Sequence, residues 1–587
     1  MVTTVSGSTL NRGVTIKDFG ATGDGTTLEN TAFNAALALG GDIYIPEGDY
    51  LIDAVTESTL VQYVVDDTHV TCHPNARILC QTNNAEVYSV IRTGPWKSTT
   101  PANRVERCSW HGGQIIGDRD THTGGTGEGG MGIRVTNCVG FRLSGLHVSK
   151  CWGDGIYLDQ TGISDTLNTE PVDTEVFSCR SFDNRRNNLS VIHADNYRIH
   201  DNEFINANGT APEAGIDVEP DSALWVCREG QIYNNVCKDN NGEGIGIIDT
   251  SAGTLEDCLV TDNICRNNGT VTNARGGIYI VGIDGDTVVQ LKGNRCISNY
   301  GAGITVNGNN QGAPTAPGRV SIIGGECATS ITGTRSGGAI TAGHGVHMTD
   351  DIGNFIVSGV SVHHNARHGI FCDQASVQQG VITGNLVFSN SQDTDVTYDN
   401  IHLDSSTSGI EVDSNMVIKE AVGEGLTNLP AYGINCQSLN PNIICNNTVL
   451  TGGDTGNMNV PGAVMIPDDA TRNVVVKDNL GYANETAARS ATFGVGTTGT
   501  GTVTIAHGLD TQNIDGTSHL DKIAGQMQIT VCYELGADGN TTVTGSPIVV
   551  ANIIDVDATN VTVRYDVLTA ATTGNCRVNL MVLSPIV

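Results

Sequence analysis

One short phrase recurs through the middle of this chain and limits what the chain can fold into. It is a glycine, or once an asparagine, followed by an apolar, a variable and again an apolar residue. Alternation with a period of two is typical of a strand that buries one face. The copies begin at Gly132, Gly155, Gly215, Gly244, Gly277, Gly303, Gly345, Gly369, Asn400 and Gly433. Most return every 23 to 33 residues, so each unit is too short to enclose a core and must stack on its neighbours.

A second repeated signal is an asparagine two residues before an apolar one. It occurs at Asn202, Asn235, Asn263, Asn294, Asn385 and Asn447. Asparagine tolerates the left-handed conformation of a tight corner, and its amide can bond to the asparagine of the next turn. Strands that alternate with asparagine and glycine corners predict an all-β fold, a right-handed parallel β-helix (a solenoid) of about a dozen coils.

Composition narrows the possible partners. The net charge is −32 and only 16% of residues are charged, so the basic stripes that nucleic-acid binding needs are not expected. No run of about 18 apolar residues occurs, so membrane insertion is not expected either. The first residues, Met1-Val-Thr-Thr-Val-Ser-Gly, lack the basic start and apolar core of a signal peptide.

The 17 cysteines are interpreted as core residues. Cys237, Cys265, Cys296 and Cys327 fall at one repeat position, where a thiol behaves as a small hydrophobe that stacks on itself. No Cys-x-x-Cys pair occurs, so we expect no zinc site, no other metal and no cofactor. An odd number of buried thiols indicates folding in a reducing cytoplasm.

Three segments are predicted along the chain. Residues 1–52 form an N-terminal capping segment, with a short helix near residues 28–39 that opens on a capping box of Thr26 and Glu29. Residues 53–486 form the β-helix, regular from about residue 131. Residues 487–587 contain separate apolar strands joined by turns, which predicts a small β-sandwich.

The opening segment carries a family resemblance. Asp18-Phe-Gly-Ala-Thr-Gly-Asp-Gly, the helix and Ile43-Tyr-Ile-Pro-Glu-Gly resemble the start of the pectate-lyase-like β-helix superfamily. With the C-terminal module and no signal peptide, the chain looks most like a bacteriophage tailspike depolymerase. That resemblance implies a virion protein that is a homotrimer, attaches to a phage tail or baseplate protein and contacts a bacterial surface polysaccharide. It also implies that the C-terminal module serves trimerisation or carbohydrate contact. It carries over no catalytic residue, because hydrolases, lyases and epimerases share this scaffold.

Aligning the coils places acidic side chains on one outer face. The first column holds Tyr157, Ser190, Asp217, Gly246 and Tyr279; the second holds Asp159, Ile192, Glu219, Ile248 and Val281; just beyond lie His193, Asp195, Asp221 and Asp249. Adjacent coils lie about 4.8 Å apart, near the carboxylate separations of glycosidases, and crowded carboxylates shift one another's pKa. Asp217, Glu219 and Asp249 are the predicted catalytic residues, although outward carboxylates can also be ordinary solubilising groups.

The remaining polar residues near this face are predicted to bind substrate. Trp225 and Tyr279 are candidate sugar platforms, and Arg185 and Arg186 could neutralise a uronate carboxylate. Tyr157, Asp159, His193, Asp195 and Asp221 complete the predicted substrate-binding set. The arginines have a simpler reading as an exposed basic corner.

A second group is rich in histidine: His344, His347, His363, His364, His368, Asp373, His402 and Asp404. His347 and His402 occupy the first column, two coils apart. Histidines at solvent-facing corners are the plainest interpretation, with a metal site and a lyase base as the alternatives.

Three functions remain open from the sequence. The first is a depolymerase that cleaves a bacterial capsule, exopolysaccharide or O-antigen, by hydrolysis in preference to β-elimination on a uronate. The second is a receptor-binding module that holds glycan without turnover, and the third is a structural fibre. Asp217 and Glu219 favour the first, because a fibre has no need to crowd carboxylates.

Overall fold

The structure, a computed structural model, describes residues 13–94, 104–159, 170–222, 224–249, 253–282, 287–308, 318–334, 341–350, 352–373, 377–419, 428–451, 464–466, 473–477 and 479. It also describes the backbone of six strands between residues 490 and 582. The first residues, Met1-Val-Thr-Thr-Val-Ser-Gly, and the predicted boundary between residues 486 and 487 lie outside these ranges.

The predicted right-handed parallel β-helix is confirmed, with about 12 turns wound from three parallel sheets. The first sheet contains Val14–Thr15, Gly41–Ile45, Thr68–Cys72, Val105–Glu106, Ser109–His111, Cys138–Val139, Arg142–Ser144, Val172–Phe177, Ala194–His200, Val226–Tyr233, Thr254–Thr261, Val288–Lys292, Arg319–Ile323, Phe355–Ser358, Gly380–Thr383, Glu411–Asp413, Asn442–Cys445 and Val474–Lys477. The second contains Asp24–Leu28, Gly48–Ile52, Ala76–Cys80, Gln114–Ile116, His147–Ser149, Arg180–Phe182, Glu203–Ile205, Val236–Lys238, Ile264–Arg266, Arg295–Ile297, Glu326–Ala328, Ser361–His363, Leu386–Phe388, Met416–Lys419 and Thr448–Thr451. The third contains Gln62–Tyr63, Val87–Thr93, Gly129–Val135, Ile156–Leu158, Leu189–Val191, Ile216–Val218, Ile245–Ile248, Ile278–Val281, Ile304–Asn307, Val346–Thr349, Ile370–Asp373, Ile401–Leu403, Ile434–Cys436 and Val464–Met465.

The recurring phrase forms the third sheet. In each strand the two apolar residues enter the core, as Ile216 and Val218 do, and the residue between them faces away from it. Burying one such side chain contributes about 1.5–3 kcal/mol, and the repeat adds the same contribution on every turn. In the second sheet, Cys237, Cys265, Cys296 and Cys327 pair in register and are fully buried, which confirms the predicted thiol stack.

The asparagine ladder lies at the corner between the first and second sheets. The Asn202 side chain donates to Asn235 Oδ1 and Asn235 donates to Asn263 Oδ1, both at 3.0 Å, so each buried amide is satisfied by the turns beside it. The expected left-handed conformation of these asparagines is wrong. The preceding residues adopt it, with φ 55° at Asn234 and 54° at Asp262, because they turn the corner while the ladder amide points inward.

The capping helix is shorter than predicted. It spans Asn30–Leu37 and packs Phe33 against Tyr50 with ring centroids 5.8 Å apart. The predicted capping box is wrong: Glu29 accepts hydrogen bonds from the backbone of Thr22 at 2.8 Å, and Thr26 bonds to Asp24 instead. Glu29 thereby ties the loop before the helix to the helix start. Two short 3-10 turns, Ile16–Phe19 and Glu57–Thr59, flank this region.

Beyond the solenoid the strands become antiparallel. One three-stranded sheet contains Ser490–Gly494, Asn575–Val582 and Met527–Tyr533, and another contains Gly499–Ala506, Asn560–Thr569 and Ile548–Val556. Packing of these sheets as a sandwich stays a prediction, as does the division of the chain into three domains. A small antiparallel pair, Gly333–Thr334 with Thr341–Ala342, interrupts the solenoid. Within the described ranges, no helix has the length and apolarity to cross a membrane.

Candidate active site

Two rows of side chains run along the outer face of the third sheet. The middle row is the residue between the two core positions of each strand, and pairing places Tyr157, Ser190, Asp217, Gly246 and Tyr279 in register, as the coil alignment predicts. The leading row is the residue immediately before the first residue of each phrase. The backbone carbonyls of this row accept hydrogen bonds from backbone N–H groups of the neighbouring turn. In the same coils the leading row consists of Asp154, Asn187, Ala214, Glu243 and Gly276.

Four carboxylates lie close together on these turns: Asp154 and Glu243 from the leading row, Asp217 from the middle row, and Glu219, which follows strand Ile216–Val218. We call these four residues the acidic cluster. Asp217 is fully buried: Asn187 Nδ2 donates to its Oδ2 at 2.9 Å, and its Oδ1 has no hydrogen-bond partner in the described part of the chain. Glu243, one turn away, is also fully buried, with Oε1 at 3.2 Å from Arg275 Nη1 and an unpartnered Oε2. The sequence leads one to expect solvent-facing carboxylates; coverage by adjacent turns makes them interior groups instead.

Gly246 leaves a space between the two buried carboxylates. A Cβ at this position would lie 2.9 Å from Glu243 Oε1 and 3.4 Å from Asp217 Oδ1. Both oxygens therefore face the same small volume, which any larger side chain would fill. Two acceptor oxygens that converge on one point can bind a hydroxyl group or a water molecule between them. An acid and a base that act on one bond need this kind of convergence.

The surroundings of the acidic cluster raise the pKa of two of its carboxyls. Burial, and then the negative charge of Asp221, raise the pKa of Glu219 to about 7, against the opposing charge of Arg186. Burial and the charge of Glu219 hold the pKa of Asp217 well above its usual range. Both carboxyls therefore hold a proton to a higher pH than an exposed carboxyl does. Crowding was the cause expected from the sequence; burial is the larger one.

The two predicted arginines are already engaged within the protein. Arg186 pairs with Asp154 at 3.1 Å and lies 3.3 Å from Glu128. The Arg185 guanidinium lies 3.8 Å from the centroid of the Trp152 ring and donates to the Gly127 carbonyl at 2.9 Å. Neither forms an exposed basic corner: Arg186 neutralises the acidic cluster, and Arg185 packs on a loop beside it.

Several other predicted substrate-binding residues have internal partners. Asp159 is buried in an ion pair with Arg134, whose guanidinium also lies 5.6 Å from the Tyr157 ring centroid. Tyr279 is buried, with Arg275 5.7 Å from its ring centroid, so it is not an open sugar platform.

Asp249, Asp221 and Trp225, at the edge of this face, differ in their surroundings. Asp249 accepts from Thr287 Oγ1 at 2.9 Å. Asp221 is exposed at the rim, and the desolvation it does experience raises its pKa, against Arg186. Trp225 is half-buried, with an Nε1 that has no partner in the described ranges. The placement of Asp195 with the site is wrong, because it belongs to first-sheet strand Ala194–His200 and pairs with Arg228 at 2.9 Å.

His193 is buried beside the cluster's edge and is held from both ring nitrogens. The Val226 backbone N–H donates to Nδ1 at 2.8 Å, and Nε2 lies 3.5 Å from Glu170. A role in binding glycan stays a prediction for this residue.

Sequence reasoning missed Asp154 and Glu243. Both stand directly before a repeated glycine, as in Gly153-Asp154-Gly155 and Gly242-Glu243-Gly244, so the repeat itself contained the signal. The same row supplies His344, His368 and Asp399 farther along the solenoid.

The histidine group also differs from its solvent-facing interpretation. His347 and His402 do lie in one row with Phe371 between them, as predicted. However, His344, His347, His368 and His402 are buried. His363 belongs to the second sheet and bonds to Glu326 instead.

No protein-family model matches the sequence. The uncharacterized protein YclG of Bacillus subtilis (strain 168) is 26% identical over 440 residues, which is 69% of each protein. The structural neighbours are phage tailspikes and pectate-lyase-like β-helix proteins. The chain is similar to the Azotobacter vinelandii mannuronan C-5 epimerase AlgE6 A-module, at 16% identity and a TM-score of 0.39, over 79% of this chain and 99% of that one.

Two phage proteins have similar structures. The tailspike of E. coli bacteriophage HK620, solved in complex with a pentasaccharide, is 12% identical with a TM-score of 0.44, over 98% of this chain and 94% of that one. Pre-mature gene product 12 of bacteriophage phi29 is 14% identical with a TM-score of 0.48, over 80% and 56%. At these values the likeness concerns the fold alone.

Proposed function

We propose that this protein is a polysaccharide depolymerase that hydrolyses glycosidic bonds at the acidic cluster. The observation that carries the proposal is the pair of buried carboxylates, Asp217 and Glu243, that converge on the space above Gly246. Burying carboxylates is costly, and a structural fibre gains nothing from leaving an oxygen of each unpartnered. An extended polymer suits this site, since the rows continue from turn to turn along the solenoid.

The roles follow from the charges around each group. Glu219 has a pKa of about 7 and is only partly covered, so it is the general acid that protonates the leaving glycosidic oxygen. Glu243 is held in its ion pair by Arg275 and is the carboxylate that acts as base or nucleophile. Asp217 supports the acid, since burial and the charge of Glu219 raise its pKa and keep it protonated to higher pH.

The biological setting belongs to the same proposal. A β-helix followed by a C-terminal β module resembles tailspike depolymerases, which supports a bacterial capsule, exopolysaccharide or O-antigen as the substrate. The protein would act as a homotrimer on a phage virion, attached to a tail or baseplate protein. The competing proposals are β-elimination on a uronate-containing glycan and glycan binding without turnover.

The deciding experiment treats a panel of bacterial surface polysaccharides with the full chain. New reducing ends without the ultraviolet absorbance of an unsaturated uronate are expected. Reducing ends with that absorbance would identify a lyase, and binding without either signal would identify a receptor-binding module. Glu219→Gln and Glu243→Gln should each lower the rate by about 10²–10⁴-fold, since each removes a proton-transfer group. Glu203→Gln, on the second sheet, is the matched control.

A further inference from the structure

Four histidines and an aspartate are buried together on three consecutive turns of the third sheet. We call His344, His347, His368, His402 and Asp399 the histidine cluster. Each is at most 8% exposed. The ring centroids of His368 and His402 lie 4.5 Å apart, and those of His344 and His368 lie 5.4 Å apart and stack. Nothing in the proposed hydrolysis uses these residues, which lie several turns from the acidic cluster.

Three donor groups in this cluster converge. Asp399 Oδ2 accepts from His402 Nδ1 at 2.6 Å and lies 3.7 Å from His368 Nδ1. His368 Nδ1 accepts the backbone N–H of Asp399 at 2.8 Å, so a cation that binds this nitrogen has to displace that hydrogen bond. One donor atom from each of the three residues lies within 4.8 Å of the others.

The carboxylate between the imidazoles is held in place from outside the cluster. The Tyr432 backbone N–H donates to Asp399 Oδ1 at 2.9 Å, and Asn435 Nδ2 donates to Oδ2 at 2.9 Å. Hydrogen bonds of this kind orient the ligands of metal sites. The neighbouring turn therefore fixes the position of the Asp399 carboxylate before any ligand binds.

A second observation points to a ligand at this place. His344 is 3% exposed, and its Nδ1 has no hydrogen-bond partner in the described part of the chain. An imidazole nitrogen that is buried without a partner costs about 1–3 kcal/mol. Its ring stacks on that of His368 with the centroids 5.4 Å apart, so the unpartnered nitrogen lies next to the three converging donors.

We propose that His368, Asp399 and His402 bind a divalent first-row transition metal ion, with Zn²⁺ as the representative species. Imidazole nitrogen with one carboxylate oxygen is a donor set that such ions prefer, whereas Ca²⁺ and Mg²⁺ prefer sites made of oxygen alone. The cation replaces the proton between His402 Nδ1 and Asp399 Oδ2, and these atoms move apart from 2.6 Å because each would lie about 2.0–2.2 Å from the metal. Three protein ligands leave a fourth position open to water or to a group of a bound glycan. From the sequence, a metal site at these histidines is only an alternative to solvent-facing corners, and Asp399 is absent from the group.

A second acidic group, Glu411, Asp413 and Cys445, is a weaker candidate. Its side chains are partly exposed except for the cysteine, and Asn446 already donates to Asp413 at 2.8 Å. It carries no unpartnered buried nitrogen, so the proposal is confined to the histidine cluster.

The test uses the full chain, stripped with a chelator and dialysed against Zn²⁺, with bound metal measured per chain. About one equivalent is expected, with a rise in thermal midpoint because the metal binds only the folded state. His402→Gln and Asp399→Asn should each weaken binding at least tenfold. His69→Gln, a histidine that bonds to Ser109 in the first turns, is the matched control and should bind as the wild type does.

Two further readouts keep the proposal falsifiable. Co²⁺ in place of Zn²⁺ should give visible ligand-field bands in the wild type that disappear in Asp399→Asn, which retains the shape of the side chain should His402→Gln fail to fold. Circular dichroism checks that each variant is folded. A wild type that binds no stoichiometric Zn²⁺, or folded variants that bind it as tightly as the wild type, would overturn the proposal.

Discussion

Asp217 Oδ1 and Glu243 Oε1, from adjacent turns of the solenoid, both lie within 3.4 Å of the point that a Cβ on Gly246 would occupy. The volume between them exists because the middle row carries a glycine at that one turn. The hydrolytic proposal depends on this volume, and it can be tested without removing either carboxylate.

Gly246→Ala should therefore lower activity by at least tenfold while the protein stays folded. The added methyl group would lie 2.9 Å from Glu243 Oε1, closer than carbon and oxygen normally approach, so that carboxylate must move. The measurement is the initial rate of reducing-end release. Gly125→Ala is the control, since a Cβ at Gly125 meets nothing within 4 Å. Unchanged activity in Gly246→Ala would remove the space from the mechanism.

The pH dependence of activity should show a descending limb near pH 7. Glu219 must hold its proton to act as the general acid, and its pKa is about 7. In the residual activity of Glu219→Gln this limb should disappear, because the amide does not titrate. Measuring kcat/KM from about pH 5 to about pH 9 decides the point. A descending limb that persists in the variant would assign the acid to another group.

The stability of the protein should fall as pH rises through the same range. The pKa of Glu219 is 4.5 in the unfolded chain and about 7 in the fold, so folding favours the protonated form. This contribution is fully present below about pH 4.5 and is lost as pH rises through about 7. Thermal unfolding at pH 5 and pH 8 should show a smaller difference for Glu219→Gln than for the wild type or Glu203→Gln. Equal pH dependence in all three would contradict the raised pKa.

Breaking the asparagine ladder should destabilise the solenoid without affecting the acidic cluster. Asn263→Ala removes the acceptor for Asn235 Nδ2 and the donor to Asn294 Oδ1, each at 3.0 Å. Buried amides left unsatisfied cost about 1–3 kcal/mol, so unfolding in urea should begin at a lower concentration. Asn75→Ala, which loses only an exposed bond to Glu47 at 3.4 Å, should unfold nearly as the wild type does.

The assembly proposal has a direct check. Light scattering of the full chain should return three times the chain mass of 61.5 kDa, if the resemblance to tailspikes extends to their oligomeric state. A monomer would reject the trimer but would leave the acidic cluster untouched, since all its members come from one chain.

The sequence by itself determined the solenoid and its register. Each phrase alternates with a period of two, and a slip by one residue would turn Ile216 and Val218 out of the core, so the stacking of coils has one solution. For the same reason the stack of Cys237, Cys265 and Cys296 could be predicted, since equivalent positions of a repeat must superpose.

Only the tertiary structure decided which polar residues meet and which of them water reaches. Asp154, Glu243 and Asp399 stand at corners, where the period of two no longer fixes the direction of a side chain. Asp195, close in sequence to the site, turns onto another sheet. The raised pKa of Glu219 results from burial and from charges that separate turns bring beside it. The repeat in the sequence determines where each coil lies. The burial and the pKa of a side chain depend on the residues that neighbouring turns place around it.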